Sequence, residues 1–381
     1  MLRCMYSGIS GMKVNQTKLD VIGNNIANVG TTAFKSSSAR FKDMLYQNAG
    51  EATSPTSTKG GTNAKQVGLG AQLSSINKMM GQGNALSTGR SLDACVDGDG
   101  YFVTGSGIVN YGATGIDGGN PLTDTHGLAS GGDMDILYTR DGNLTLDYEG
   151  NLLTSDGRRI MGYLMTDGLD TKNKAVSITT DKIATVGGKA ATVDATHANF
   201  VDADSKQLKP ASTDKLEPLM IPDQVWVGAH DITNSDGTTT AVVAGYQPVK
   251  KFEIGKQGLV TAILGDGSRT ALGQIAMATF KNPEGLNSVG GNLLQKSSNS
   301  GTEIIRTAVN GNMKTDGTID PAIEDNSKGF GDFIQGALEG SNVDLTEQFT
   351  DMITATRSFQ AASKMITTGD EILQTITGLM R

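Results

Sequence analysis

The chain has 381 residues, enough for two or three domains, with a net charge of -8 and a pI near 5.0, which argues against general affinity for nucleic acid or anionic membrane. Its 50 glycines and 5 % aromatics suit tight turns and slim β elements better than a large enzyme core. No run of eighteen apolar residues is present, so membrane insertion is not expected, and Met1 to Lys18 lack the unbroken apolar core of a cleaved secretory signal.

Met5, Met12, Leu19 and Ile26 recur at intervals of seven, with Ile9 and Ile22 beside them. That spacing predicts a heptad helix ending in an Asn-rich turn at Asn24, Asn25 and Asn28, with Gly30 as the stop. Residues 49 to 66 contain no large aliphatic or aromatic side chain and read as a linker or flexible loop. Val67, Leu69, Ala71 and Leu73 alternate as one strand would, and Tyr101 to Val103 form another candidate strand.

The clearest β region is LYTRDGNLTLDYEGNLLTSDGRRIMGY, residues 137 to 163. Asp141-Gly142, Glu149-Gly150 and Asp156-Gly157 punctuate it every seven or eight residues, as in a meander. Residues 168 to 250 change to a Thr-, Ala-, Asp- and Lys-rich composition around the single Trp226, with a short strand expected at Gln224 to Val227. They read as a second β domain inserted in a loop of the first, able to be removed without loss of the rest. From about Phe252 the pattern of the first β domain resumes.

At the C-terminus Leu345, Met352, Phe359, Ile366, Leu373 and Met380 again recur every seven residues, and Ala355, Ala362 and Ile376 widen the stripe. Ser341 to Asp344 read as a capping box with Asp344 at the third helical position. About 38 helical residues would span roughly 57 Å, and so long a helix needs a surface to lie against. Residues 1 to 48 carry +4 and residues 337 to 381 carry -3, so the two ends are expected to pair, with charge selecting the partner and apolar burial supplying the energy.

The expected fold is α+β and multidomain: heptad helices at both ends paired as a coiled coil, with nested all-β domains between them. The expected divisions are an N-terminal assembly helix at 1–33, a connecting segment at 34–70 and an inner β domain at 71–167 resuming at 251–330. An outer inserted β domain occupies 168–250, and a C-terminal assembly helix 331–381. The expected assembly interface is Met5, Ile9, Met12, Leu19, Ile26, Leu345, Met352, Phe359, Ile366, Leu373 and Met380.

Chemistry gives little to compete with that reading. His126, His197 and His230 are far apart and follow no metal spacing. DGDGYF puts Tyr101 and Phe102 where a calcium loop needs a ligand and Gly, so a turn is the better reading. GLGAQL and GDGYFV break the dinucleotide fingerprint at its third Gly. Asp124, His126 and Ser130 are close in sequence but sit in Gly-rich surroundings. Cys4 and Cys95 occupy dissimilar contexts and read as packing residues. Neither an enzyme nor a cofactor is expected.

Several stretches resemble one family. NNIANVGTTAFK (Asn24 to Lys35) is similar to the N-terminal signature of flagellar rod and hook axial proteins. SNVDLTEQFTDMITATRSFQAASKMITTGDEILQTI (Ser341 to Ile376) is similar to their C-terminal signature. DGDGYFV, YTRDGNL, EGNLLTSDG and NPEGLNSVGGNLL resemble their β segments. The resemblance implies a homopolymer whose terminal helices form an inner tube, export through the flagellar type III apparatus without cleavage, and no catalysis. It implies as partners other copies of the chain, rod and hook–filament junction proteins, the hook cap and the export apparatus. The insertion and the Ser341 start are closer to the hook branch, a curved tube coupling motor torque to the filament. The distal rod branch and, from another class, a surface adhesin are the alternatives. Ala33 stands where the family usually has Gly and Gly369 where it usually has Ala, which puts the first turn in question and admits a kink or a close helix contact in the second helix.

Overall fold

A computed structural model of the chain describes residues 2–107, 111–112, 115–116, 120–122, 128, 134–166, 197–204, 208–211, 215–227, 230–233, 239–242, 245–306, 308 and 330–379. It forms two compact units: Met1–Gly81 with Ser341–Arg381, and Gln82–Gly340.

The first unit joins the two chain ends. Helix α1, Leu2–Ala27, is followed by strands β1 (Ser37–Asp43), β2 (Tyr46–Gly50), β3 (Lys65–Gly68) and β4 (Ala71–Lys78), and helix α2 spans Leu345–Leu379. β1 and β4 pair antiparallel, with a bulge between Arg40 and Phe41, and α1 packs on both of them and on α2. β2 pairs with β3, and the bridges Thr53↔Thr62 and Thr56↔Lys59 continue the ribbon to its tip. The stretch expected as a flexible linker is therefore a long two-stranded arm, its Thr, Gln and Asn side chains facing solvent while the backbone pairs with itself. Val67 to Leu73 is not one strand: Gly70 breaks it at φ 121°, where any Cβ would collide with Ser10 Oγ of α1.

Helix α2 starts three residues later than the sequence suggests. Asp344, not Ser341, is the cap: its Oδ1 accepts from the Thr346 (2.8 Å) and Glu347 (3.4 Å) amides. Glu347 then holds the third helical position expected of Asp344. Residues 332–339, assigned from sequence to the terminal helix segment, are mostly strand.

The second unit is all β among its described residues, apart from one short 3-10 turn at Pro283–Gly285. Its entry and exit run side by side. β5 (Ala85–Ser87) pairs antiparallel with Ala337–Glu339, and β6 (Ala94–Asp97) with Asp332–Gln335. β7 (Tyr101–Gly107) lies at the centre, paired with Met134–Thr139, Arg159–Thr166 and Met277–Thr279. The meander is present: Leu144–Leu146 pairs with Leu152–Thr154, which pairs with the following strand at Leu153↔Arg159. Gly150 and Gly157 turn at positive φ, whereas Gly142 serves close approach, a Cβ there being blocked by Ala94 O.

The inserted domain is not separate where it is described. Lys215–Pro218 pairs with the meander strand at Met161↔Pro218 and Gly162↔Glu217. Leu219, Met220, Val225 and Val227 share one core cluster with Phe102, Leu144 and Leu152 from before the insertion and Leu272 and Phe333 from after it. The expected border at 250 falls inside the continuous strand Gly245–Ile254. The polar average of residues 168–250 conceals this, because it hides the run LEPLMIP at 216–222, which is buried without a break. Residues 168–196 lie outside the described residues. Likewise β4, expected to open the inner β domain at 71, belongs with the helices.

Arg140 and Glu339 form a buried ion pair, Nε to Oε2 2.8 Å, with side chains 3 % and 0 % exposed and an alignment short of a hydrogen bond. Arg140 also donates through Nη2 to the carbonyls of Val96 (3.2 Å) and Gly98 (2.6 Å), and Glu339 Oε1 accepts from the Gly83 amide at 2.9 Å. The pair fastens entry strand, exit strand and meander together. Glu339→Ala is expected to cost the unit about 3–5 kcal/mol by stranding a buried guanidinium. Chemical denaturation checks this, and Arg140→Met with Glu339→Leu should recover most of the loss.

Candidate assembly interface

The terminal helices pack antiparallel. A Cβ on Gly369 would lie 3.2 Å from Met5 Cγ, and one on Gly8 3.3 Å from Ile366 Cγ1 and 3.4 Å from Ala362 O. Lys18 Nζ pairs with Asp351 Oδ1 at 3.2 Å, and Asn25 Nδ2 donates to Gln348 Oε1 at 2.9 Å. Glycines on both helices let the backbones approach closely. Gly369 is thus a contact residue, as its place in the sequence allows, and it is buried.

On α2 the side turned to α1 combines two rows with a seven-residue repeat. Met352, Phe359, Ile366 and Leu373 are half-buried, and Gln348, Ala355, Ala362 and Gly369 alternate with them, Ala355 and Gly369 being buried. Leu345 is 39 % exposed, more than the rest of its row, and Met380 lies outside the described residues. On α1 the expected row is displaced. Met5, Met12, Leu19 and Ile26 are half-buried and Ile9 is exposed, while the fully buried positions are Gly8, Val14, Ile22 and Asn25. The reason is that α1 has two neighbours. Its apolar surface is shared between α2 and the β1–β4 pair, so a single heptad row cannot mark both contacts. Val14 is the residue that the sequence reading misses, and its signal is an apolar side chain that breaks the row of seven.

Two asparagines tie the unit together. Asn25, wholly buried, donates from Nδ2 to Ser37 O (2.8 Å) and Gln348 Oε1, and accepts at Oδ1 from the Ser37 amide (2.9 Å). Asn342 accepts at Oδ1 from the Ser36 amide (2.7 Å) and donates from Nδ2 to Met79 O (2.6 Å) and Gly81 O (3.2 Å). Lys35 is buried beside them with Nζ donating to Gly81 O at 2.7 Å. Partial burial lowers the Lys78 ammonium below the usual lysine range.

The turn after α1 does not use Gly30. Ala33 takes the left-handed conformation, φ 55°, and is buried, so the turn keeps the geometry of a glycine despite the substitution.

Two apolar grooves remain open on this unit. One of about 580 Å³ runs between α1 and the start of β4, and the other, about 440 Å³, lies between Cys4 and the Met365–Ile372 face of α2. Phe349, Ile353, Met365, Ile372, Ile376 and Leu379 are all exposed on α2. Among the described residues no group of three or more His, Cys, Asp and Glu side chains could hold a metal ion, and no helix is long and apolar enough to cross a membrane.

Comparison with known proteins matches both ends of this arrangement. A sequence-family profile described as "Flagella basal body rod protein" matches residues 5–35, and one described as "Flagellar basal body rod FlgEFG protein C-terminal" matches residues 334–379. The chain is 35 % identical to the flagellar basal-body rod protein FlgG of Bacillus subtilis (strain 168), over 100 % of both chains. It is 29 % identical to the flagellar hook protein FlgE of Borreliella burgdorferi, over 100 % of both, and 27 % identical to that of Escherichia coli (strain K12), over 97 % of this chain and 98 % of the other. The crystal structure of Helicobacter pylori flagellar hook protein FlgE2 matches 67 % of this chain and 100 % of that one with a TM-score of 0.33 and 11 % identity.

Asn25→Ala is expected to cost the helix unit about 2 kcal/mol or more, since it leaves the Ser37 amide and carbonyl and the Gln348 amide oxygen to find new partners. Hydrogen exchange at the Ser37 amide measures it, and unchanged protection would remove Asn25 from this role. Ala33→Val should be strongly destabilising, because a β-branched residue resists positive φ. Ala33→Gly should change stability by less than about 1 kcal/mol, relief of strain being offset by chain entropy and a lost methyl group. Thermal denaturation of the two variants beside the unsubstituted chain checks both outcomes.

Proposed function

The chain belongs to the family of flagellar rod and hook proteins, and we propose that it is the structural subunit of the hook, self-assembling into a curved hollow tube that couples motor torque to the filament. The observation that carries this reading is full-length similarity to hook proteins together with a terminal-helix unit whose apolar faces remain open. In this reading α1 and α2 form a coiled-coil seam, and Met5, Ile9, Met12, Leu19, Ile26, Leu345, Met352, Phe359, Ile366, Leu373 and Met380 supply the assembly interface, within the chain or between copies. The function is structural rather than catalytic. Partners are other copies, rod and hook–filament junction proteins, the hook cap and the export apparatus, and the protein acts outside the cell after export without cleavage.

One observation favours a second reading. The 35 % identity to a rod protein of matching length supports a distal rod subunit. Electron microscopy of polymer grown from purified protein separates them: a curved tube supports the hook, a straight one the rod, and a permanent monomer neither.

Phe359→Asp is expected to abolish polymer while leaving the denaturation of the β unit unchanged. Phe359 is half-buried on the side of α2 turned to α1, and a carboxylate there would need costly desolvation in a closed seam. Normal tubes from this variant would show that its row is not an assembly seam.

A further inference from the structure

We propose that the groove beside α1 receives the C-terminal turns of α2 from a second copy of this chain. This inference rests on the structural-subunit reading above and specifies which surfaces meet. The groove has a volume of about 580 Å³ and an apolar lining that includes Tyr6, Ile9, Val14, Met44, Leu69 and Leu73. Among the described residues its one charged lining side chain is Lys13; across the strand pair from its wall residues Gln72 and Ala71 stand Lys42 and Asp43, whose charges offset each other, so Lys13 sets the sign of the groove. Tyr6 is 66 % exposed, although the groove could take a large apolar insert.

The last turns of α2 have the complementary character. Ile372, Ile376 and Leu379 are spaced by four and three residues, so they form one ridge along the helix, and all are exposed, Leu379 by 82 %. Asp370 and Glu371 precede the ridge, and residues 365–379 contain no Lys or Arg. The acidic apolar ridge and the apolar groove with its single lysine are complementary in polarity and charge. Charge sets the partner and register, and apolar burial supplies the affinity. The chain's own α2 packs against a different side of α1, at Gly8, Lys18 and Asn25.

Groove and ridge are different surfaces of the molecule. Each copy therefore gives a ridge to one neighbour and receives one from another. Unless two copies exchange ridges reciprocally about a two-fold axis, such a heterologous contact propagates as an open helical assembly, or as a ring if the rotation closes.

The test uses the full chain with Cys4→Ser, leaving only the buried Cys95. Ile9→Cys and Ile376→Cys are made on separate copies, mixed, allowed to polymerise and oxidised with copper phenanthroline. A disulfide dimer confined to the mixture is expected. Lys13→Glu should lower its yield at least ~fivefold, and Glu371→Lys on the other copy should restore it. Polymer without this cross-link, or preferential linkage of Ile9→Cys to Ile353→Cys, would overturn the proposal and leave the structural-subunit reading standing. Failure of the unsubstituted chain to polymerise would overturn both.

Discussion

The side-chain amides of Asn25 and Asn342 join segments that are hundreds of residues apart. Asn25 connects α1 to the start of β1 and to the first turn of α2, and Asn342 connects the approach to α2 with Ser36 and the end of β4. Each uses both its carbonyl and its amino group, as the complete burial of Asn25 demands; Asn342 is only half-buried. A hydrogen bond contributes only about 0.5–1.5 kcal/mol net, whereas an orphaned buried partner costs about 1–3 kcal/mol. The amides therefore act mainly by penalising misalignment. They fix where the C-terminal helix starts on the N-terminal one, and the apolar faces supply attraction without choosing a register.

The β unit solves the corresponding problem with charge. Its chain enters at Gln82 and leaves at Gly340, with the flanking strands paired antiparallel and Arg140–Glu339 buried between them. Such a pair contributes little net stability compared with apolar residues of similar shape, but breaking it is expensive. The structural consequence is a closed stem, which permits a long β excursion between two helices that must meet. Gly340 donates to Asn84 O and Asn342 to Gly81 O, so the outgoing and returning chain are tied to each other at both positions.

Much of this is legible in the sequence, for identifiable reasons. The α2 row of seven is visible because that helix has one long neighbour and its half-buried Met352, Phe359, Ile366 and Leu373 all turn toward it. The α1 row points to the flank of the contact because the helix serves two neighbours and meets α2 through glycines, which carry no hydrophobic signal. The sequence puts the capping box three residues early since Ser341 and Asp344 are both acceptable caps, and only the backbone shows which one receives the Thr346 amide. The family pattern draws attention to Ala33, but a positive φ cannot be read from an alanine. The arm at residues 46–68 gives no strand signal because a solvated two-stranded ribbon needs no apolar alternation. The insertion looks separable for a different reason: its composition is polar on average, and that average hides the buried run at 216–222 and the inward Val225 and Val227.

The two units differ in how completely they can satisfy themselves. The β unit encloses Phe102, Leu144, Leu152, Met165, Leu272 and Phe330 almost entirely, so its core needs no other molecule. The helix unit is built from two helices and thin β ribbons, and such layers have too few neighbours to cover every apolar stripe. Among its described residues the fully buried apolar side chains are Val14, Ile22, Ala33 and Ala355, while Tyr6, Leu45, Ile353 and Leu379 remain in solvent. Exposed apolar surface on this scale marks an interaction site rather than a finished monomer. If the chain assembles as proposed, the apolar surface at its ends is what assembly would bury, while the β unit would keep its own core whether or not neighbouring copies move, which suits a tube that bends and stays assembled.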